Sequence, residues 1–599
     1  MRPGADVPEV LRIARRTLEE LSGVTIVSDW TARAPHTWCL QLDLTPADLG
    51  TTYEVPRTSR WFVCIPDDYP HGVIDVLPAV TGGLDGIFPH QRPFVPPTGA
   101  PYRGAKICVA TDSEGNLRTD AGAEPQSAED RLAWHINRAL GWIEKASKGT
   151  LLAPGDPFEL PVYRGSASDL FAFREGPEDL VRWAGIDEAM GVADLRRLDG
   201  RSDAIWVVTT FRSLYGRLLF QPAWGSRVIS MQSESRTALW LRVPQLVVRP
   251  PYAAPSTWQE LSVALEEQGV NLFTELRRGT EHLHDGARHP LLIGFPVPEL
   301  VGGAPRQMHW LTVDLRALEG RVPDGFRPNE LGLWMASSRG TFRPEADVDW
   351  AGSQNWHPNE LATRGRLNSG LTSARVLLIG CGALGSPVAE LLVRAGVSHL
   401  TVVDLQRLEV GNLVRHTLTM DQLGQSKAEA LATRLNAASP NAVVVAQPTA
   451  AESLVDTDFL MEFDFVIEAT GDHRVLELLG RVQAPHPITY ASLSMTLHAR
   501  HLIAYLSRGT TFQVDAFIAA YEPLRLAELD RGEERPMEGI GCWHPVFPAR
   551  ADEVWLMASA AVGLLNDEWP VADGTAALVV MERSMDSQGR FVGLRAVAS

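Results

Sequence analysis

At about 150 residues per domain, a chain of 599 residues predicts about three or four domains rather than one compact unit. Its 55 basic and 73 acidic side chains leave a net charge of −18, which argues against nucleic acid or an anionic membrane surface as the main partner. Hydrophobic residues at 45% and charged residues at 21% are globular proportions, and exclude wholesale disorder, collagen-like repeats and coiled-coil fibres. The cysteines Cys39, Cys64, Cys108, Cys381 and Cys542 are dispersed without a CxxC pair, so neither a disulfide framework nor a zinc ribbon is expected, and a reducing compartment fits. The starting MRPGADVPEV has no basic start leading into an apolar stretch. No run approaches the roughly eighteen apolar residues of a membrane span, so the sequence reads as cytoplasmic and without a membrane partner.

Three regions follow in order. Residues 1–152 open with a helical pattern from Val10 to Leu21 and give strand-like runs at Trp38 to Leu44 and Arg60 to Ile65. Pro and Gly recur from Pro78 to Gly104 and predict irregular surface loops. KICVAT comes next, then a helix over Ala128 to Lys145 with Leu132, Ile136, Leu140 and Ile143 at helical spacing, so this region reads as α+β. Residues 153–355 read as mixed α/β without a chemical motif, with strands at Ala204 to Thr209, Ala238 to Val243 and Pro290 to Phe295 and a helix at Thr257 to Gln268. Polar residues from Trp350 to Ser373 suggest a linker or arm. Residues 356–599 alternate strands at Val376 to Ile379, Leu400 to Asp404, Ala442 to Ala446, Phe465 to Ala469 and Ile488 to Ser492 with helices at Ser386 to Arg394 and Ser426 to Asn436. That alternation predicts an α/β fold whose sheet is mostly parallel and covered on both faces.

The string RVLLIGCGALGS sets Gly380, Gly382 and Gly385 between a buried strand and a helix start, and Asp404 closes the next strand. In that context Gly380 permits the tight turn, Gly382 lets backbone approach a ligand, and Gly385 lets helix and strand pack closely. The helix N-terminus offers N–H groups to an anion, and Asp404 can accept hydrogen bonds from ribose hydroxyls. Glycines that serve packing alone are the plainer alternative. Beyond Asp404 the chain carries Asn412 and Arg415 in GNLVRH, Lys427 in LGQSKAEA and Asp472 in EATGDHR; a nicotinamide dehydrogenase would need no such cluster of cations as Arg415 and Lys427 here.

As a set and in this order, these residues resemble the ThiF/MoeB-type adenylating enzymes, the catalytic core of ubiquitin-activating enzymes. The resemblance implies a Rossmann-like adenylation domain that takes ATP and Mg²⁺. ATP carries about four negative charges at neutral pH, and attack at its α-phosphorus requires them to be neutralised. Arg415 and Lys427 would supply cations, Asn412 would position phosphates, and Asp472 would hold Mg²⁺, which typically takes few carboxylates beside phosphate oxygens and water. A homodimer is implied as well, with Arg364 or Arg366 as the arginine offered to a partner's site. The paired CxxC motifs frequent in that family are missing, so no structural zinc is expected.

An acyl-adenylate must be passed on, and a thiolate is the natural acceptor, since even at a pKa of about 8.5 a fraction is ionised and strongly nucleophilic. Cys542 lies in MEGIGCWHPVFP after the polar segment Leu524 to Glu538, which reads as a crossing loop. Gly539 and Gly541 free the backbone before it, His544 is close in sequence, and a buried structural cysteine is the alternative. Cys381, inside the glycine loop, reads as packing, and Cys64 as core. The block from WFVCIPDDYP to KICVAT and the later helix resembles a ubiquitin-conjugating domain: a strand, Tyr69-Pro70, a loop crossing, then an Ile-Cys-Val segment centred on Cys108. The usual His-Pro-Asn element is absent, and Pro89-His90-Gln91, the nearest polar segment, lies too far upstream to stand in for it. Judged alone, Cys108 reads almost as well as an apolar strand residue between Ile107 and Val109.

A conjugating-like domain (1–152), a central linker or scaffold (153–355) and an activating-like domain (356–599) resemble, in this order, the activating/conjugating fusion ligases of bacterial anti-phage operons, best known from type II CBASS. The resemblance implies an ATP-dependent ligase in which a protein C-terminus is adenylated, carried on Cys542 and then Cys108 as thioesters, and joined to a target amine. Its protein substrate would be a cGAS-like nucleotidyltransferase. Other readings are a fusion serving another bacterial ubiquitin-like protein, and an adenylyltransferase of sulfur-carrier metabolism that does not use Cys108. A scaffold that keeps ATP without turnover is disfavoured by Arg415, Lys427 and Asp472 together.

Overall fold

The computed structural model describes residues 7–33, 37–109, 124–166, 168–198, 204–281, 283–318, 320–534, 536–538, 544–568, 574 and 576–597. In the N-terminal region four strands, Val24–Arg33, Thr37–Leu44, Ser59–Pro66 and Asp75–Pro78, form an antiparallel meander. Helices Glu9–Glu19 and Asp130–Lys148 share its core. Leu132, Ile136, Ala139, Ile143 and Ala146 line one face of the second helix and are buried with Leu40, Leu42, Trp61 and Val63. Gly149 ends this helix at φ +68°, and Lys145 and Lys148 in the last turn complement its dipole. The Pro- and Gly-rich stretch is largely irregular, but Gln91–Pro93 runs antiparallel to Ala105–Ile107 with Gln91 opposite Ile107. Cys39 and Cys64, opposite one another on adjacent strands, form a disulfide, which corrects the expectation drawn from their wide spacing; both are buried.

The central region is a mixed sheet in the order Leu218–Phe220, Ile205–Ser213, Leu170–Phe173, Trp350–Asn355, Pro305–Asp314, Pro290–Pro298, Ser235–Arg242, Met190–Leu198. Met190–Leu198 also pairs with Ile205–Ser213, and so the sheet closes on itself as a barrel. Phe171, Trp206, Phe211, Trp240 and Trp310 pack together as one aromatic cluster. Helices Trp258–Glu266 and Leu272–Thr280 share a second core with Leu239, Leu291, Ile293 and Val313. The stretch beginning at Trp350 is therefore not an arm: Trp350–Asn355 is an interior strand. Its polarity misleads because its polar groups bond inside the protein, Ser353 to Thr312 at 2.8 Å and Asn355 to the Glu175 backbone at 2.8 and 3.0 Å.

In the C-terminal region five parallel strands stand in the order Val443–Gln447, His399–Val403, Arg375–Ile379, Phe465–Glu468, Ile488–Met495. His501–Gly509, Ala576–Met585 and Phe591–Val597 extend the sheet antiparallel. Helices Gly385–Arg394, Lys427–Ala438 and Ala551–Glu568 contribute to one hydrophobic core, and His473–Arg481 and Val514–Asp530 to the other, so both faces are covered. The expected crossing loop from Leu524 is helical as far as Asp530. Val514, Phe517, Tyr521 and Leu524 on one face of that helix meet the second core, while its C-terminal part is polar and pairs its charges, Arg525 with Glu522 at 2.7 Å and Glu528 with Arg531 just beyond the helix at 3.0 Å. The barrel is bonded to this region: the Gly225 N–H donates to Pro440 O at 2.9 Å, the Ser226 N–H to Ala442 O at 2.8 Å, and Arg174 to the Asn441 side chain at 3.0 Å. Among the described residues no helix is long and apolar enough to cross a membrane.

Candidate active site

The five parallel strands end on one edge of the sheet, where open α/β sheets bind their ligands. Gly380 leaves its strand at φ +98°, and its N–H donates to Val403 O at 2.8 Å. A Cβ on Gly380 would lie 2.8 Å from Thr470 N, and one on Gly385 would overlap the Gly380 carbonyl oxygen, so both positions require glycine. A Cβ on Gly382 would meet no heavy atom within 4 Å among the described residues, and this piece of backbone is open to a ligand. Asp404 fixes the loop, accepting the Cys381 N–H at 2.8 Å on one oxygen and the Gln406 N–H at 2.7 Å on the other. Cys381 is fully buried, and burial pushes its thiol well up, in keeping with packing.

Lys427 opens helix Lys427–Ala438, whose Ser426 cap accepts the Glu429 N–H. The lysine is 5% exposed and donates to the Gln406 side chain at 2.7 Å; among the described residues it forms no ion pair. A buried ammonium balanced by a neutral amide favours the approach of an anion. Asn412 accepts the Glu409 N–H at 3.0 Å and closes the turn that presents Arg415, whose guanidinium lies 5.8 Å from the Phe547 ring centroid. His416 ties this turn to the glycine loop: Nε2–H donates to Cys381 O at 2.6 Å and Nδ1 accepts the Leu418 N–H at 3.1 Å. Burial holds its pKa below the ordinary histidine value, and the two bonds need the neutral ring. Sequence reasoning passed over His416 and Gln406, although each neighbours a motif residue.

Asp472 caps helix His473–Arg481, accepting the Arg474 N–H at 3.0 Å and its guanidinium at 2.6 Å. The Arg474 hydrogen bonds and charge hold this carboxyl below the ordinary range. Both oxygens are engaged by Arg474, and the carboxylate is charged and partly exposed, so a cation could reach it only in place of this guanidinium. The loop before it is shaped by Glu468, buried and also missed, which accepts the Thr470 N–H at 2.6 Å, the Gly471 N–H at 3.2 Å and the Ser492 hydroxyl at 2.8 Å. Burial raises its pKa. Arg364 and Arg366 are both exposed, and Arg366 bonds within its own chain to Asn359 at 3.0 Å and Thr372 at 2.8 Å.

Cys108 is free and exposed at the end of strand Ala105–Ile107. Its N–H donates to His90 O at 2.8 Å. Pro89-His90-Gln91, expected to be too distant, is thus beside the cysteine, because the Pro-rich loop folds back through the Gln91–Ile107 pairing. The next residue's carbonyl, Val109 O, accepts from Arg138 at 2.5 Å, and Arg138 lies over Trp134. Tyr69 donates to Ala128 O at 2.8 Å and accepts the Leu132 N–H at 3.2 Å; burial pushes its hydroxyl up to about 12. Cys542, with Gly539 and Gly541, lies outside the described residues.

The model of the Cap2 central linker domain matches residues 149–356, and that of the ThiF family matches residues 361–484. The ATP-dependent ubiquitin transferase-like protein Cap2 of Enterobacter hormaechei subsp. hoffmannii is 32% identical over 568 residues, covering 92% of this chain and 93% of that protein. A sulfur carrier protein adenylyltransferase of Thermus thermophilus is 39% identical over 101 residues, covering 17% of this chain and 37% of that protein. Among solved structures, the crystal structure of E. coli MccB with ATP aligns with a TM-score of 0.25 at 13% identity, over 38% of this chain and 64% of that one.

Proposed function

The chain belongs to the Cap2 family of ATP-dependent ubiquitin transferase-like proteins and is an adenylyltransferase, and from that premise we propose a relay through two thiols. A C-terminal carboxylate oxygen of a protein substrate attacks the α-phosphorus of ATP, the bond to pyrophosphate breaks, and an acyl-adenylate forms. The Cys542 thiolate attacks the acyl carbon and AMP leaves. Cys108 takes the acyl group by exchange, freeing Cys542, and a target amine completes an amide, freeing Cys108.

The observation that carries this reading is the gathering of the open Gly382 backbone, Asp404 and the buried Lys427 at one sheet edge, in a chain whose N-terminal region presents a free, exposed cysteine. Lys427 and Arg415 would neutralise phosphate charge, Asn412 would hold the turn that carries Arg415, and Asp404 would receive ribose hydroxyls. Magnesium, held by Asp472 in place of Arg474, would add charge neutralisation at the phosphates. The order of regions supports the finer assignment: 1–152 conjugating-like, 153–355 scaffold, 356–599 adenylation with the Cys542 segment. In that assignment the carboxyl donor is a cGAS-like nucleotidyltransferase of antiviral defence, and the enzyme works as a cytoplasmic homodimer. Similarity along nearly the whole chain favours the fusion over a sulfur-carrier adenylyltransferase, whose likeness spans a small part of it.

The test offers ATP, Mg²⁺ and candidate carboxyl donors (a cGAS-like nucleotidyltransferase, a ubiquitin-like protein, a sulfur carrier) and resolves thiol-sensitive adducts on non-reducing gels. Cys542→Ala abolishes every adduct and spares ATP–pyrophosphate exchange; Cys108→Ala stops the adduct on Cys542. Conjugation by Cys108→Ala at the wild-type rate would overturn the relay.

A further inference from the structure

The strap that carries Cys108 is anchored from both sides, and one anchor belongs to the central region. His90, whose carbonyl receives the Cys108 N–H, adopts φ +59°, an uncommon conformation for a residue with a side chain. Glu159 holds the turn there. Its carboxylate accepts the His90 backbone N–H at 3.3 Å and meets Nδ1 at 2.9 Å, while Nε2 faces Leu151 O at 3.1 Å. Glu159 is itself fixed on the barrel: its carbonyl accepts the Tyr252 hydroxyl, and the preceding Phe158 N–H donates to Glu299 O at 3.1 Å. The two ring nitrogens of His90 thus face Glu159 and the Leu151 carbonyl, and the ring ties the turn to both.

We propose that His90 and Glu159 are positioning residues for the Cys108 thiol, so that the central region completes the transfer site instead of only spacing it. The inference rests on reading Cys108 as an acyl carrier. In the step concerned, an amine nitrogen attacks the acyl carbon, the C–N bond forms, the C–S bond breaks with its electron pair leaving on Sγ, and the amine proton passes to solvent. Correct presentation of Sγ is what the two residues contribute.

The experiment uses the full chain with Cys542→Ala, so that Cys108 is the free exposed thiol tested. Cys108 is charged by exchange with a synthetic glycyl-peptide thioester and discharged to free lysine. Glu159→Gln keeps an acceptor and removes the charge; His90→Asn suits a residue type tolerated at positive φ. Each slows the maximal discharge rate about tenfold, the size of a lost charge-assisted hydrogen bond, without changing the lysine concentration for half-maximal rate. Because one acts through the other, the double variant is no slower than either single one, and Glu159→Asp recovers most of the rate. Wild-type discharge in both single variants, or multiplied losses in the double variant, overturns the proposal while Cys108 remains a carrier. A wild-type chain whose Cys108 accepts no acyl group overturns the carrier reading and the proposal with it.

Discussion

Alanine at Gly382 separates the ligand-facing work of the glycine loop from its packing work, because Gly382 and Gly385 differ in what an added methyl would meet. At Gly385 the methyl overlaps the Gly380 carbonyl, and relief requires shifting a helix buried through Val388, Ala389 and Leu392. Overpacking of that kind costs about 1–3 kcal/mol, and each kcal/mol lowers the melting temperature by about 2–4 °C in a large domain. At Gly382 no described atom lies within 4 Å of the methyl, so the stability change stays within about 0.5 kcal/mol. The same methyl occupies the space where phosphate would approach backbone, and a loss of tenfold or more in kcat/KM for ATP–pyrophosphate exchange, about 1.4 kcal/mol, is expected. Thermal unfolding by circular dichroism and exchange kinetics measure the two effects separately. Wild-type exchange constants in Gly382→Ala, or a melting temperature lowered as far as in Gly385→Ala, would refute the division of roles.

Lys427→Met keeps the buried stem, removes the charge, and is expected to cut exchange by about 100-fold or more with the fold intact, as for the loss of one preorganised charge donor; retained exchange would remove the phosphate role. Arg474→Ala frees the Asp472 carboxylate, and the Mg²⁺ concentration for half-maximal exchange should fall; an unchanged or higher requirement argues against Asp472 as the ligand. Burial pushes the Glu175 carboxyl up to about 8, against the opposing hydrogen bonds from Trp310 and Trp183. A raised carboxyl pKa stabilises the fold fully below the unfolded value of about 4.3, and that contribution is lost as pH rises toward the folded value. Unfolding followed by tryptophan fluorescence should therefore show wild-type stability declining between about pH 5 and about pH 8 and a flatter profile for Glu175→Gln, with equal slopes ruling out the buried acid as the cause.

The adenylation core was legible because its signals are local and repeated. Apolar runs such as VLLI mark strands buried on both faces, and a glycine string at the strand-to-helix junction has few other uses. What escaped depends on pairing between distant segments. His90 and Cys108 stand far apart in a Pro- and Gly-rich stretch, and only the Gln91–Ile107 register makes them neighbours. Cys39 and Cys64 meet for the same reason, by facing each other across two strands whose register no composition argument supplies. Trp350–Asn355 looked like an arm because Ser353 and Asn355 are polar, yet their polarity satisfies partners inside the fold. The C-terminal part of helix Val514–Asp530 hid because it is polar and little buried, its apolar face ending near Leu524. His416 and Glu468 act through backbone groups, a role that leaves no motif.

The central region, blank in chemical motifs, is bonded to both chemically distinct regions. Its barrel receives the turn Pro440–Ala442 that follows the Lys427 helix, and the segment ending at Glu159 grips the turn at His90. A flexible tether would let the outer regions sample one another at an effective concentration set by its length, whereas bonded contacts such as these hold each of them against the barrel. The docked barrel thus turns the spacing of the two chemistries from a matter of linker length into one of interface hydrogen bonds such as Gly225 to Pro440 and Glu159 to His90.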